Sequence, residues 1–113
     1  MSGFARLQEE FEHFYASREW RQFQTPKDVA ASLAVEASEV QELFLWLDIA
    51  GQQRVLDDCQ EDLKRELADV MINCLNLARL GKIDLETAVS EKLVLLAEKY
   101  PADVVRGKVV PHR

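Results

Sequence analysis

Hydrophobic residues recur at helical spacing along most of this chain, and a few turn-forming points break the pattern. Phe4, Leu7, Phe11 and Phe14 fall three or four apart and predict a first helix from about Phe4 to about Arg18. The link Trp20-Arg21-Gln22-Phe23-Gln24 follows, with two exposed-looking aromatics. Thr25-Pro26-Lys27-Asp28 reads as a helix start, with Thr as the cap, Pro in the first turn and Asp three residues after the cap. The apolar positions then carry a second helix to about Ile49, with Gly51 as its stop. Gln52 to Leu56 reads as a connection, and either Asp57 or Asp58 caps a third helix. The seam of that helix is Leu63, Leu67, Val70, Cys74 and Leu77, and Gly81 ends it. Asp84 caps a fourth helix to about Lys99, with Leu85, Val89, Leu93 and Leu96 on its apolar side and Pro101 closing it. Residues 102–113 show little periodicity. They form either an arm on a neighbouring subunit or a frayed end.

One position in this pattern carries chemistry. Val29, Leu33, Glu36, Val40, Leu43 and Leu47 follow the alternating spacing of a helix-packing stripe, and Glu36 alone among them is ionisable. A buried carboxylate without a partner is costly, so it is neutralised, paired or bound to a metal. Glu36-x-x-Glu39 and Glu66-x-x-Asp69 each place two carboxylates on one helical face. At about 100° per residue, Glu39 lies to one side of the stripe and Trp46 falls near it, one to two turns onward. On the third helix Asp62, Glu66, Asp69, Asn73 and Asn76 form a polar line down the flank. Antiparallel packing of the second and third helices would bring the two polar flanks together. Converging oxygens form a hard cation site, suited to Mg²⁺ or Mn²⁺ rather than Zn²⁺.

Each of these residues also has a plainer reading. Glu39 and Asp69 alone fit a solvated helix face, although solvation does not explain Glu36 on a seam. Asp58, Glu61 and Asp62 fit a charged first turn that complements the helix dipole. Trp20 and Trp46 fit a core, Asn73, Asn76 and Lys92 fit an exposed surface, and Cys74 fits packing. His13 reads as a surface residue, and without an E-x-x-H pair a di-iron bundle is not indicated.

Composition narrows the class. The 113 residues suit one domain, taken as residues 1–113 with a core of about 4–101 and a C-terminal arm over 102–113. Gly and Pro are few, at 4 and 3, which favours an all-α fold. No apolar run approaches a membrane span, and the start of the chain lacks a basic-then-apolar leader pattern. Cys59 and Cys74 show no C-x-x-C spacing and read as reduced thiols, which predicts a cytoplasmic protein. A net charge of −6 without a basic stripe argues against duplex nucleic acid as a partner. A phosphorylated small molecule remains compatible, provided that divalent cations stand between its phosphates and the carboxylates.

At these residues the chain resembles the all-α nucleoside triphosphate pyrophosphohydrolases of the MazG-like superfamily, in particular their dCTP pyrophosphatase branch. The resemblance rests on the E-x-x-E helix Val35 to Trp46 and the E-x-x-D run Glu66-Leu67-Ala68-Asp69-Val70. Upstream, Arg18 to Pro26 is similar to the branch's R-D-W-x-Q-F-H-x-P stretch, and Lys99-Tyr100-Pro101 to its R-Y-P end. The likeness spans roughly residues 4–108. It implies a four-helix bundle that assembles into a dimer or a dimer of dimers. By the same resemblance Glu36, Glu39, Glu66 and Asp69 are the Mg²⁺ ligands, with Mn²⁺ as a substitute, and Glu39 is also the acceptor of a water proton. Trp20, Phe23 and Trp46 would enclose the base, Asn73 would contact it, and Lys92 would reach the phosphates. The implied reaction cuts a nucleoside triphosphate, dCTP or a related pyrimidine dNTP, into a monophosphate and pyrophosphate. Three positions depart from the family pattern. Leu96 stands where many relatives carry Asn in K-x-x-x-N, Gln24 where the branch has His, and Asn73 where dCTP-specific relatives often have Tyr. Leu96 keeps open the alternative of a catalytically weak or silent nucleotide-binding protein of the same fold.

Overall fold

The computed structural model describes residues 2–109. All of its regular structure is helical: α1 (Gly3–Ser17), a 3₁₀ turn (Arg21–Phe23), α2 (Pro26–Glu42), α3 (Ile49–Asp58), α4 (Gln60–Leu80), α5 (Leu85–Lys99) and α6 (Ala102–Val105). Among the described residues no helix is long and apolar enough to cross a membrane. The chain divides into two compact units. The first runs through α1 to α4 as far as Lys82, and the second starts at Ile83 and holds α5 and α6.

Several helix ends follow the expected chemistry. The Thr25 hydroxyl accepts from the Asp28 amide at 3.2 Å, with Pro26 in the first turn of α2. The Asp84 carboxylate accepts from the Thr87 amide at 3.2 Å and starts α5, and Gly81 caps the end of α4. Such caps satisfy backbone donors that the helix itself leaves open.

The second helix stops earlier than its pattern predicts. Instead of reaching Ile49, α2 ends at Glu42, and residues 43–46 form a turn. Trp46 adopts φ 67°, a left-handed backbone that stops a helix and that side chains other than Gly rarely take. Trp46 is therefore not on the helix that carries Glu39. The expected connection Gln52 to Leu56 is the middle of α3 instead. Asp48 caps α3 by accepting from the Gly51 amide at 2.7 Å, so Gly51 lies inside a helix and does not end one. A Cβ at Gly51 would meet Asp48 Oδ1 at 3.1 Å and Leu47 Cβ at 3.2 Å, which is the reason for a glycine there. Neither Asp57 nor Asp58 caps the next helix. Both belong to α3, and α4 begins after Cys59. Four long helices were thus expected, and among the described residues six α-helices are present, since α3 and the short α6 are added.

Within the first unit α2 and α4 form the most extensive packing. Phe11, Val29, Val55, Leu75 and Ala78 are its buried apolar residues, and Asn76 is buried among them at 2 % exposure. The expected seam of α4 is partly displaced, because Leu67 is 51 % exposed while Glu66, Asn73 and Asn76 on the polar line are half-buried or buried. In the second unit Val89, Leu93, Val94 and Leu95 of α5 are exposed. Residues 110–113, the end of the expected C-terminal arm, lie outside the described residues.

Candidate metal centre

Packing of α2 against α4 brings the carboxylates together. Glu36 and Glu39 project from α2 one turn apart, and Glu66 faces them from α4. Each offers a carboxylate oxygen, and these oxygens lie within 4.8 Å of one another. All three residues are half-buried. Oε2 of Glu36 and Oε2 of Glu66 are shut off from solvent and meet no hydrogen-bond donor.

Such crowding has an electrostatic consequence. Both Glu36 and Glu66 are raised above the ordinary 4.5. The first cause is a hydrogen bond with Glu39, which forms only when the pair takes up a proton. Desolvation comes second, followed by the negative charges of Glu39 and Asp69. Glu66 also feels the charge of Glu36. A divalent cation answers both defects, since it supplies positive charge and accepts lone pairs that no donor meets. The donor set, carboxylate oxygens without His or Cys, fits a hard ion such as Mg²⁺ or Mn²⁺.

Asp69 is exposed one turn beyond Glu66. Its charge reaches Glu36 and Glu66, but its oxygens are not among those of the close group. Asn73, half-buried on the next turn, donates its side-chain amide to the Asp69 carbonyl at 3.0 Å. Trp20 opens the 3₁₀ turn, 43 % exposed, with its ring edge-on to Phe14 and Tyr15 at 5.7 Å from each. Phe23 closes that turn at 70 % exposure, and Trp46 stands 94 % exposed in the turn after α2. Lys92 is exposed on α5, in the second unit.

A polar chain that the helical pattern does not reveal lies further along α4, about 15 Å from Glu66. Asn76 donates Nδ2–H to Gln24 Oε1 at 2.6 Å and accepts from Arg79 Nη2 at 2.8 Å. Arg79 Nε lies 3.6 Å from Glu12 Oε1, and the other Glu12 oxygen accepts from Arg21. Glu12 on α1, the 3₁₀ turn, Gln24 and α4 are thereby tied together. Asn76 was visible only as one member of the polar line on α4. Its partners Gln24 and Glu12 lie far away in sequence, and spacing along one helix says nothing about them.

The chain is 36 % identical over 96 residues to dCTP pyrophosphatase 1 of Rattus norvegicus and 35 % identical to that of Homo sapiens. Each alignment covers 83 % of this chain and 56 % of the relative, so the chain spans a little over half the length of these curated relatives. A crystal structure of a pyrophosphatase from Archaeoglobus fulgidus superposes with a TM-score of 0.82 at 30 % identity, covering 89 % of this chain and 94 % of the other. The MazG-like family profile matches residues 31–107, a stretch that holds Glu36, Glu39, Glu66 and Asp69, and the chain belongs to that family.

Proposed function

We propose that this chain is a Mg²⁺-dependent nucleoside triphosphate pyrophosphohydrolase that takes dCTP or a related pyrimidine dNTP and releases the monophosphate and pyrophosphate. The observation that carries this reading is the group formed by Glu36, Glu39 and Glu66, whose oxygens lie within 4.8 Å of one another and include two buried atoms without a donor. The curated relatives are named for dCTP and the structural neighbour is named a pyrophosphatase, which supports the same reaction class.

Glu36, Glu39 and Glu66 would hold the cation, with Asp69 completing the set from one turn away. When bound, Mg²⁺ would offset the triphosphate charge and lower the pKa of a water, so that its deprotonated form could attack at phosphorus. Glu39 is the hydrogen-bond partner of both Glu36 and Glu66, which makes it our choice to accept the proton lost by that water. Trp20 and Phe23 before α2 and Trp46 beyond its end are separated by the length of that helix, about 25 Å, so the exposed aromatic surface offered to one base would combine Trp20 and Phe23 of one copy with Trp46 of another, and Asn73 offers a polar contact beside it. Lys92 is assigned to the phosphates. The exposed apolar residues of α5 and the exposed Leu67 and Met71 of α4 support assembly with further copies into a dimer or a dimer of dimers. We place the protein in the cytoplasm, clearing the nucleotide pool.

The test is pyrophosphate release from each common dNTP and NTP, with Mg²⁺ and with EDTA. Release that needs Mg²⁺ and disappears in Glu36→Gln and in Asp69→Asn is the expected result. Turnover like the wild type in both variants would overturn the site assignment. Leu96, half-buried on α5 where many relatives carry Asn, motivates a second reading, a silent nucleotide binder. That reading predicts metal-dependent nucleotide binding without release, and gain of release in Leu96→Asn.

A further inference from the structure

The polar chain of Gln24, Asn76, Arg79 and Glu12 has a direction, and its direction fixes an orientation. A guanidinium only donates hydrogen bonds. Arg79 Nη2 at 2.8 Å therefore requires Oδ1 of Asn76 on its side, which turns Nδ2 of Asn76 toward Gln24. An amide NH₂ cannot accept, so the Gln24 atom 2.6 Å away is Oε1. The Gln24 amide is thus oriented by the Arg79 charge through one intermediate, and its remaining polar group is Nε2, a donor. Burial of Asn76 at 2 % exposure excludes water as a competing partner that would relax this choice. Glu12 holds Arg79 in place at 3.6 Å and also takes the hydrogen bond from Arg21, within the turn that carries Phe23 and follows Trp20.

The location matters as much as the direction. From Glu66 to Asn76, α4 rises about 15 Å, comparable to the reach of an extended nucleoside triphosphate. With phosphates at the carboxylates, a base lying along the polar line of α4 comes to the Asn73–Asn76 end. There Gln24, next in sequence to Phe23, is anchored by its side chain. We propose that Asn76 is a positioning residue for the nucleotide: under the control of Arg79 it turns the Gln24 amide so that Nε2 donates to a carbonyl oxygen of the base. The inference rests on the pyrophosphohydrolase reading and adds a specificity element on the side away from the metal.

Asn76→Asp supplies the test. Aspartate keeps the shape and keeps the acceptor for Arg79, but it offers Gln24 only acceptor oxygens. The Gln24 amide must then invert, sending Nε2 to Asp and leaving Oε1 toward the base. The expected result is a KM for the best dNTP substrate raised by about tenfold, the scale of one lost and one opposed hydrogen bond, with kcat within about twofold of wild type. Gln24→Met removes the donor and should raise KM alike. In the double variant the two changes should not add, because Asp at 76 acts only through an amide that is no longer present. The Mg²⁺-induced rise in melting temperature, which reads the carboxylates alone, should be equal in all four proteins. An unchanged KM in Asn76→Asp overturns the inference, and so does full additivity in the double variant, which would indicate a general effect of charge or packing. Absence of nucleotide turnover in the wild type overturns the pyrophosphohydrolase reading and this inference with it. Wild-type turnover with an unchanged KM in Asn76→Asp overturns this inference alone.

Discussion

The carboxylates of Glu36 on α2 and Glu66 on α4 meet within 4.8 Å across a helix-packing interface, where apolar side chains would ordinarily face each other. Both are raised above 4.5, so each binds its proton more tightly in the folded chain than in the unfolded one. A raised carboxylate contributes stability that is full below the unfolded value and is lost as pH rises through the folded value. Without metal, Glu36→Gln should therefore match the wild type in melting temperature near pH 4 and exceed it increasingly toward about pH 8. Melting curves of the two proteins in EDTA across that range are the check. A difference that does not change with pH would show that the Glu36 charge is not crowded.

Added Mg²⁺ should reverse the order. A ligand that binds only the folded chain stabilises it by about 2.7 kcal/mol at a hundred times its Kd. The wild type should gain that stability, and Glu66→Gln should lose most of it, with an affinity lower by about 100-fold or more. Titration of melting temperature against Mg²⁺ reads both quantities. An equal response from the two proteins would place the cation elsewhere.

Trp46 is held at φ 67° while its ring is 94 % exposed. The left-handed backbone costs a non-glycine residue about 1–2 kcal/mol, and this ring recovers little of it from the core. Trp46→Gly relieves that strain but frees the unfolded chain by about 0.4–1 kcal/mol. The variant should thus unfold in urea within about 1 kcal/mol of the wild type, while its KM for nucleotide rises clearly. A large loss of stability would mean that Trp46 is a packing residue.

Gly51→Ala tests the start of α3. Its Cβ would press on Asp48 Oδ1 and Leu47 Cβ, and the capping bond from the Gly51 amide would loosen. A cost of about 1 kcal/mol is expected, read as a lower urea midpoint with an unchanged slope.

The sequence carried Glu36 plainly, because a carboxylate on a seam has few explanations. It also carried the caps at Thr25 and Asp84, whose signals are local. The end of α2 was hidden because the apolar stripe continues through Leu43 and Leu47 while the backbone turns at Trp46, a residue type that gives no warning of positive φ. The start of α3 is masked because glycine commonly ends a helix, although Asp48 three residues before Gly51 is itself a capping signal. On α4 the hydrophobic pattern places Leu67 on the seam, yet it is exposed, while Glu66 on the polar flank meets α2 as the convergence of the two flanks predicts. The burial of Asn76 is not legible, because no one-helix pattern registers a partner as distant as Gln24.

The two tryptophans live in different surroundings. Trp20 stacks edge-on against Phe14 and Tyr15, whereas Trp46 is bathed in water. Trp46, the far more exposed ring, should emit at longer wavelength than Trp20, and it is a ring assigned to the base. The chain carries its own optical reporter: a blue shift confined to the long-wavelength component would time nucleotide capture in a stopped-flow cell without any label.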